Sequence, residues 1–160
     1  MDGEAMPVGP VGSHDVIETG EWAGWSLWSR DPFELHAGPF YTRREAGRPT
    51  ICAFRAEAKH MNGGGFMHGG CLMTFADYAL FALAGDVLEG RNCVTASLNG
   101  EFLDSALLGE MIEARGEVTK AGRSLVFIRG LISTSQRPLL TFSGIVKKVR
   151  DRNGHGTAGD

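Results

Sequence analysis

His68-Gly69-Gly70-Cys71-Leu72-Met73-Thr74-Phe75-Ala76-Asp77-Tyr78-Ala79-Leu80-Phe81-Ala82-Leu83-Ala84-Gly85 decides how this chain is read. A helix that is apolar nearly all round belongs inside a protein. One carboxylate, Asp77, interrupts it, and an ionised side chain in such a place costs several kcal/mol unless it is paired or used. Asp is also a poor mid-helix residue, so propensity does not explain it. The bland reading is a structural ion pair or a hydrogen bond across a subunit interface. The glycines just upstream favour a sharper one, an active site with Asp77 as acid or base.

Outward from this helix the pattern is β. Upstream, Glu34 to Arg43 reads as a first strand interrupted by Gly38-Pro39, and Gly47-Arg48-Pro49 as a turn. Thr50 to Lys59 alternates as a second strand, and Met61 to Met67 is a glycine-rich loop leading into the helix. The helix should end near Gly85 or Gly90. Downstream, Val94, Ala96 and Leu98 alternate, with a bulge or bend expected at Asn99-Gly100. Glu110–Lys120 and Ser124–Thr134 form a hairpin through Ala121-Gly122-Arg123, and Leu139–Val149 is the last strand. A helix of about 16 residues, roughly 24 Å long, can lie along the apolar face of an antiparallel sheet that curls around it. The architecture is α+β, with one central helix.

With 160 residues the chain holds one core, not two. Residues 1–20 read as a flexible Gly/Pro-rich tail, 21–150 as a single domain and 151–160 as a second tail. Trp22, Trp25 and Trp28 recur every three residues, which on a helical or 3₁₀ turn makes a cap over the core or a lid over a ligand. Hydrophobic content of 42% and charged content of 22% are those of a globular protein. A net charge of −3 argues against a nucleic-acid-binding face. The longest apolar run, Cys71 to Ala84, is short of the about 20 residues a membrane span needs. Cys52, Cys71 and Cys93 are odd in number and form no CxxC, as in reduced thiols of a cytoplasmic protein. No secretory signal pattern stands at Met1–Pro7, in keeping with that location.

The first N–H groups of a helix lack internal partners, and the macrodipole adds about half a positive charge there. Gly69 and Gly70 would let an acyl group approach those donors, which then stabilise an oxyanion; otherwise they merely permit a tight turn. Gly69 and Asp77 lie about 12 Å apart along one helix, too far to act on one carbonyl from the same chain. If both are catalytic, the sites lie between antiparallel helices of two subunits. Asn62 can donate to an oxyanion, orient a water or simply shape its loop. His68 is a general base or, more commonly at a helix start, a cap. His60 and His68 lack a third ligand for a metal. Thr95 packs in its strand or assists Asp77. Arg123, Lys147 and Lys148 are solvated or meet phosphates.

Asn62, His68-Gly69-Gly70, Asp77 and Val94-Thr95, with Asp31-Pro32-Phe33-Glu34, Gly38-Pro39-Phe40-Tyr41 and Gly122-Arg123, resemble the PaaI-like acyl-CoA thioesterases of the 4-hydroxybenzoyl-CoA thioesterase superfamily. The resemblance covers about residues 31 to 149. It implies a hotdog fold, hydrolysis of a coenzyme A thioester without metal or redox cofactor, and a homo-oligomer, dimer or dimer of dimers. By resemblance, Asp77 is nucleophile or general base, Gly69 polarises the carbonyl through its N–H, Asn62 assists there, Thr95 orients the water and His68 is chiefly structural. Gly70, Arg123, Lys147 and Lys148 would line the substrate's path. Where the family often has a Pro after the bend of the post-helix strand, this chain has Phe102-Leu103-Asp104-Ser105, and its three Trp have no family counterpart. A non-catalytic acyl-CoA sensor is the alternative. A hotdog dehydratase would need His68 and Asp77 to meet across the interface.

Overall fold

Helix α2 (Gly69–Leu83) is the one long helix among the residues that the computed structural model describes, 14–88 and 90–149. Its Leu72, Phe75, Ala76, Tyr78, Ala79, Leu80 and Ala82 are buried. They pack on Phe54, Ile112, Val126, Ile128, Leu140, Phe142 and Val146 in a single core. Burying a Leu- or Phe-sized side chain contributes about 1.5–3 kcal/mol, so the sheet–helix contact dominates the stability of the fold.

The sheet has eight strands in the order β1-β2-β3-β4-β6-β7-β8-β5. These are β1 (Asp15–Val16), β2 (Ser26–Leu27), β3 (Tyr41–Arg43), β4 (Ile51–Arg55), β5 (Cys93–Phe102), β6 (Met111–Ala121), β7 (Leu125–Ser133) and β8 (Pro138–Lys148). Every neighbouring pair is antiparallel. Small residues let the sheet wrap closely around α2. A Cβ at Gly144 in β8 would stand 2.4 Å from Leu80 Cδ1, and one at Gly116 in β6 would stand 2.9 Å from Leu83 Cδ1. This is the hotdog fold, α+β with one long central helix, as expected. No helix among the described residues is long and apolar enough to cross a membrane.

Five local readings differ from the structure. The strand expected over Glu34–Arg43 is instead helix α1 (Pro32–Ala37) followed by the short β3. Asp31 caps α1 by accepting the Glu34 N–H at 3.0 Å, and Pro32 stands at its first position, where its missing N–H costs nothing. The three Trp share no helical turn. Gly20 and Gly24 adopt φ of 83° and 82°, and the chain reverses there into the β1–β2 hairpin. Trp22 stacks on Tyr41 at 4.0 Å between ring centroids, Arg43 lies over Trp25, and Trp28 packs on Tyr78. The expected tail over 1–20 lies mostly outside the described residues, but its end forms β1; the tail over 151–160 lies wholly outside them. The second strand stops at Arg55, because Glu57 caps a 3₁₀ turn over Ala58–His60. The remaining strands fall within a few residues of their expected bounds. The bulge in β5 sits not at Asn99-Gly100 but between Thr95 and Ser97, which leaves Ala96 as the extra residue against β8.

Candidate active site

Asp77 is half-buried rather than enclosed, because α2 turns it toward β5, the last strand of the sheet. There Thr95 Oγ1 donates a hydrogen bond of 2.6 Å to Asp77 Oδ1. The adjoining bulge is what re-aims side chains along this strand, a common device beside active sites. Among the described residues Oδ2 has no hydrogen-bond partner.

At the start of α2, His68 is the N-cap. Its Nδ1 accepts the Gly70 N–H at 2.9 Å, which puts the proton of the neutral ring on Nε2. The N–H groups of Cys71 and Leu72 both donate to the His68 carbonyl, at 2.9 and 3.4 Å. Of the four amides that open the helix, Gly69 alone is left without an acceptor among the described residues. A Cβ at Gly69 would press on the Phe102 ring at 3.2 Å. His68 thus shapes the helix start and spends its acceptor nitrogen doing so.

Asn62 is exposed and its side-chain oxygen accepts from the N–H groups of Gly64 and Phe66, at 2.8 and 3.2 Å, within its own loop. Only its NH₂ group is left to donate outward. His60 is buried, with Nδ1 accepting from the Glu57 N–H at 2.9 Å, so its ring supports the loop rather than pairing with His68. Lys147 lies opposite Val94 and Leu125, and Lys148 opposite Cys93. Arg123 occupies the β6–β7 turn, and the next residue, Ser124, accepts the Lys148 N–H at 2.9 Å. These three cations share the end of the sheet that carries Thr95, whose own register partner is Val146.

Two features escaped the sequence reading. Tyr78 Oη and Thr42 Oγ1 are 2.6 Å apart in the core, and Thr42 also reaches Cys52 Sγ at 3.8 Å. Burial pushes the Tyr78 phenol well above its ordinary range and the Cys52 thiol up to about 12, so both stay neutral. The other is Glu34. Burial first, then the charges of Asp31 and Asp77, push its carboxyl up to about 8. The Asp-Pro that opens α1 was the signal that would have turned this residue inward.

A central helix wrapped by an antiparallel sheet thus carries a Thr-held carboxylate in its middle and, at its start, an amide with no acceptor among the described residues. The thioesterase superfamily model matches residues 64–141. PA0474 of Pseudomonas aeruginosa, a candidate esterase by name, is 34% identical over 120 residues, which are 74% of this chain and 90% of that protein. Human acyl-coenzyme A thioesterase 13 is 30% identical over 95 residues, 59% of this chain and 68% of the human protein. The solved PaaI protein of Escherichia coli, from its phenylacetic acid degradation operon, superposes with a TM-score of 0.66 at 20% identity, over 76% of this chain and 86% of that one. The chain belongs to the thioesterase superfamily. The expected PaaI-like hotdog thioesterase is met, and the enzyme expected, an acyl-CoA thioesterase, is what the human relative's name describes.

Proposed function

We propose that this protein hydrolyses a coenzyme A thioester, with Asp77 as the reacting carboxylate. The observation that carries the reading is the 2.6 Å Thr95–Asp77 hydrogen bond, which orients the carboxylate and leaves Oδ2 available. In one route Oδ2 takes a proton from water as the water oxygen bonds to the thioester carbon. The carbonyl becomes an oxyanion held by the Gly69 N–H, and the Asn62 NH₂ group assists. Collapse breaks the C–S bond, and the coenzyme A thiolate recovers the proton from Asp77. In the other route Oδ2 bonds to the carbon itself, the C–S bond breaks with loss of the coenzyme A thiolate, and water then cleaves the mixed anhydride, its proton passing to the thiolate. An oxyanion-hole donor is worth about 2.7–4 kcal/mol of barrier in measured cases.

Gly69 and Asp77 serve one carbonyl only if two copies contribute, since eight helical residues separate them by about 12 Å. The free edge of β5, with Val94, Thr95 and Ala96 exposed, is where a second copy would extend the sheet and bring its Gly69 alongside. A homodimer, or a dimer of dimers, is therefore part of the proposal. Arg123, Lys147 and Lys148 stand at the same end of the sheet to meet the phosphates of coenzyme A, with Gly70 beside the acyl path. No metal or redox cofactor enters this scheme, and the location proposed for the enzyme is cytoplasmic.

The test is thiol release from acyl-CoAs, benzoyl through palmitoyl, by wild type and Asp77→Asn side by side. Turnover that vanishes in the variant supports the scheme. A variant with a near-normal rate would remove Asp77 from it. Silence of the wild type, with acyl-CoA binding still seen by calorimetry, would turn the reading to a sensor.

A further inference from the structure

Glu34 is a carboxyl that the scheme above does not use. Its backbone is fixed at both ends of a short helix: its N–H donates to Asp31 Oδ1 at 3.0 Å and its carbonyl accepts the Gly38 N–H at 2.7 Å. The side chain turns inward where α1 packs on α2, and its Oε2 is sealed from solvent without a hydrogen-bond partner among the described residues. Buried polar atoms of native proteins are nearly always satisfied, so an orphan of this kind marks strain or use.

The groups that face it carry negative charge or none. Asp31 stands beside it on its own segment, Asp77 and Tyr78 act on it from α2, and Cys52 from β4. The cations and histidines at this junction are turned to other partners. Arg44 donates to the Ala82 carbonyl and Asp86, Lys59 to the His36 carbonyl, and His60 is held between the Glu57 N–H and the Gly38 carbonyl. With no cation paired to Glu34 among the described residues, burial and the two aspartates keep its proton on until about pH 8.

We propose that Glu34 is a positioning residue of the thioesterase reaction: as a neutral acid packed at the α1–α2 junction it adds no further negative charge to those of Asp31 and Asp77, and its ionisation slows hydrolysis. The inference rests on Asp77 being the reacting carboxylate. Attack on the thioester develops an oxyanion in this neighbourhood, and a further buried carboxylate opposes it. Ionised, Glu34 would also seek water and loosen α1 from α2.

The experiment is the pH profile of kcat/KM for wild type and Glu34→Gln, together with a ¹³C NMR titration of the glutamate side-chain carboxyls. Wild-type kcat/KM should fall about tenfold from pH 7 to pH 9, the loss expected for one group titrating near 8. Glu34→Gln should lose this limb. One carboxyl of the wild type should titrate near 8, and Asp77→Asn should move its midpoint down. An active enzyme whose alkaline limb survives in Glu34→Gln overturns the role of Glu34 alone, as does a Glu34 midpoint in the ordinary carboxylate range. Silence on every thioester overturns the reaction itself and the positioning role with it, whereas the carboxyl titration still reports whether Glu34 holds its proton.

Discussion

Thr95 on the edge strand holds Asp77 of the central helix through a hydrogen bond of 2.6 Å, and 18 residues of chain separate the two. A hydrogen bond to a charged group is worth about 1.5–3 kcal/mol, or roughly 10–100-fold in rate where it is needed in the transition state. Thr95→Val keeps the β-branched shape and removes the donor. It should lower kcat by that factor while KM and Tm change little, and Thr95→Ser should restore most of the rate. Steady-state kinetics of the three proteins check this; an unchanged kcat in Thr95→Val would show the bond to be incidental.

Arg44 closes the other end of α2. Its Nη2 donates to the Ala82 carbonyl at 2.6 Å and its Nη1 lies 3.2 Å from Asp86, where a cation meets the negative end of the helix dipole. A Cβ at Gly85 would fall 1.8 Å from Nη2, so the guanidinium would have to leave. Gly85→Ala should therefore cost about 1 kcal/mol, similar to Arg44→Ala. In the Arg44→Ala background the same change should be neutral or stabilising, since Ala is the better helix former by about 1 kcal/mol. Urea unfolding of the four proteins gives the cycle, and simple additivity would contradict it.

The motif around α2 was legible because each part is local: an apolar run with a single carboxylate, glycines before it and strands of period two after it. The long strands β6, β7 and β8 were legible for the same reason. α1 was not, because the Asp31-Pro32 start competes with Gly38-Pro39 and an extended-looking Glu34–Arg43, and six residues give too little periodicity to decide. The Trp spacing of three suggested a turn of helix, whereas the positive φ of Gly20 and Gly24 made a hairpin instead. Within the site, Asp77 and Gly69 stood out from their surroundings. The contact of Thr95 with Asp77 depends on where the β5 bulge falls, and the inward turn of Glu34 depends on how α1 meets α2. Both are tertiary facts that no local spacing encodes.

The wrapping of the sheet rests on glycines whose removal should be felt in the core. At Gly144 a Cβ would meet Leu80 Cδ1 at 2.4 Å and the Ser97 carbonyl at 2.8 Å, one a core side chain and the other backbone. Gly144→Ala must shift either α2 or β5. Overpacking of this kind costs about 1–3 kcal/mol, and a displaced α2 would also misplace Asp77 relative to Thr95. The variant should lose several degrees of Tm and most of its turnover. Leu80→Ala added to it should recover part of the activity by making room, and a Gly144→Ala protein with wild-type Tm would show that the close approach is not required.

Glu34 makes stability depend on pH in a stated direction. Its carboxyl is raised from an ordinary value of 4.5 to about 8 in the folded chain. Between these values the folded protein keeps a proton that the unfolded chain has released, so the contribution of Glu34 is fully present below about pH 4.5 and is lost as pH rises through about 8. The loss is on the order of a few kcal/mol, given that the group is mostly withdrawn from solvent. Glu34→Gln fills the same space without a proton to lose. Its stability should decline less than that of the wild type from pH 5 to pH 8, and at pH 8 it should be the more stable protein. Urea midpoints at pH 5, 6.5 and 8 decide the matter: parallel declines in the two proteins would place the proton elsewhere, whereas a gap that opens toward pH 8 assigns it to the carboxyl between α1 and α2.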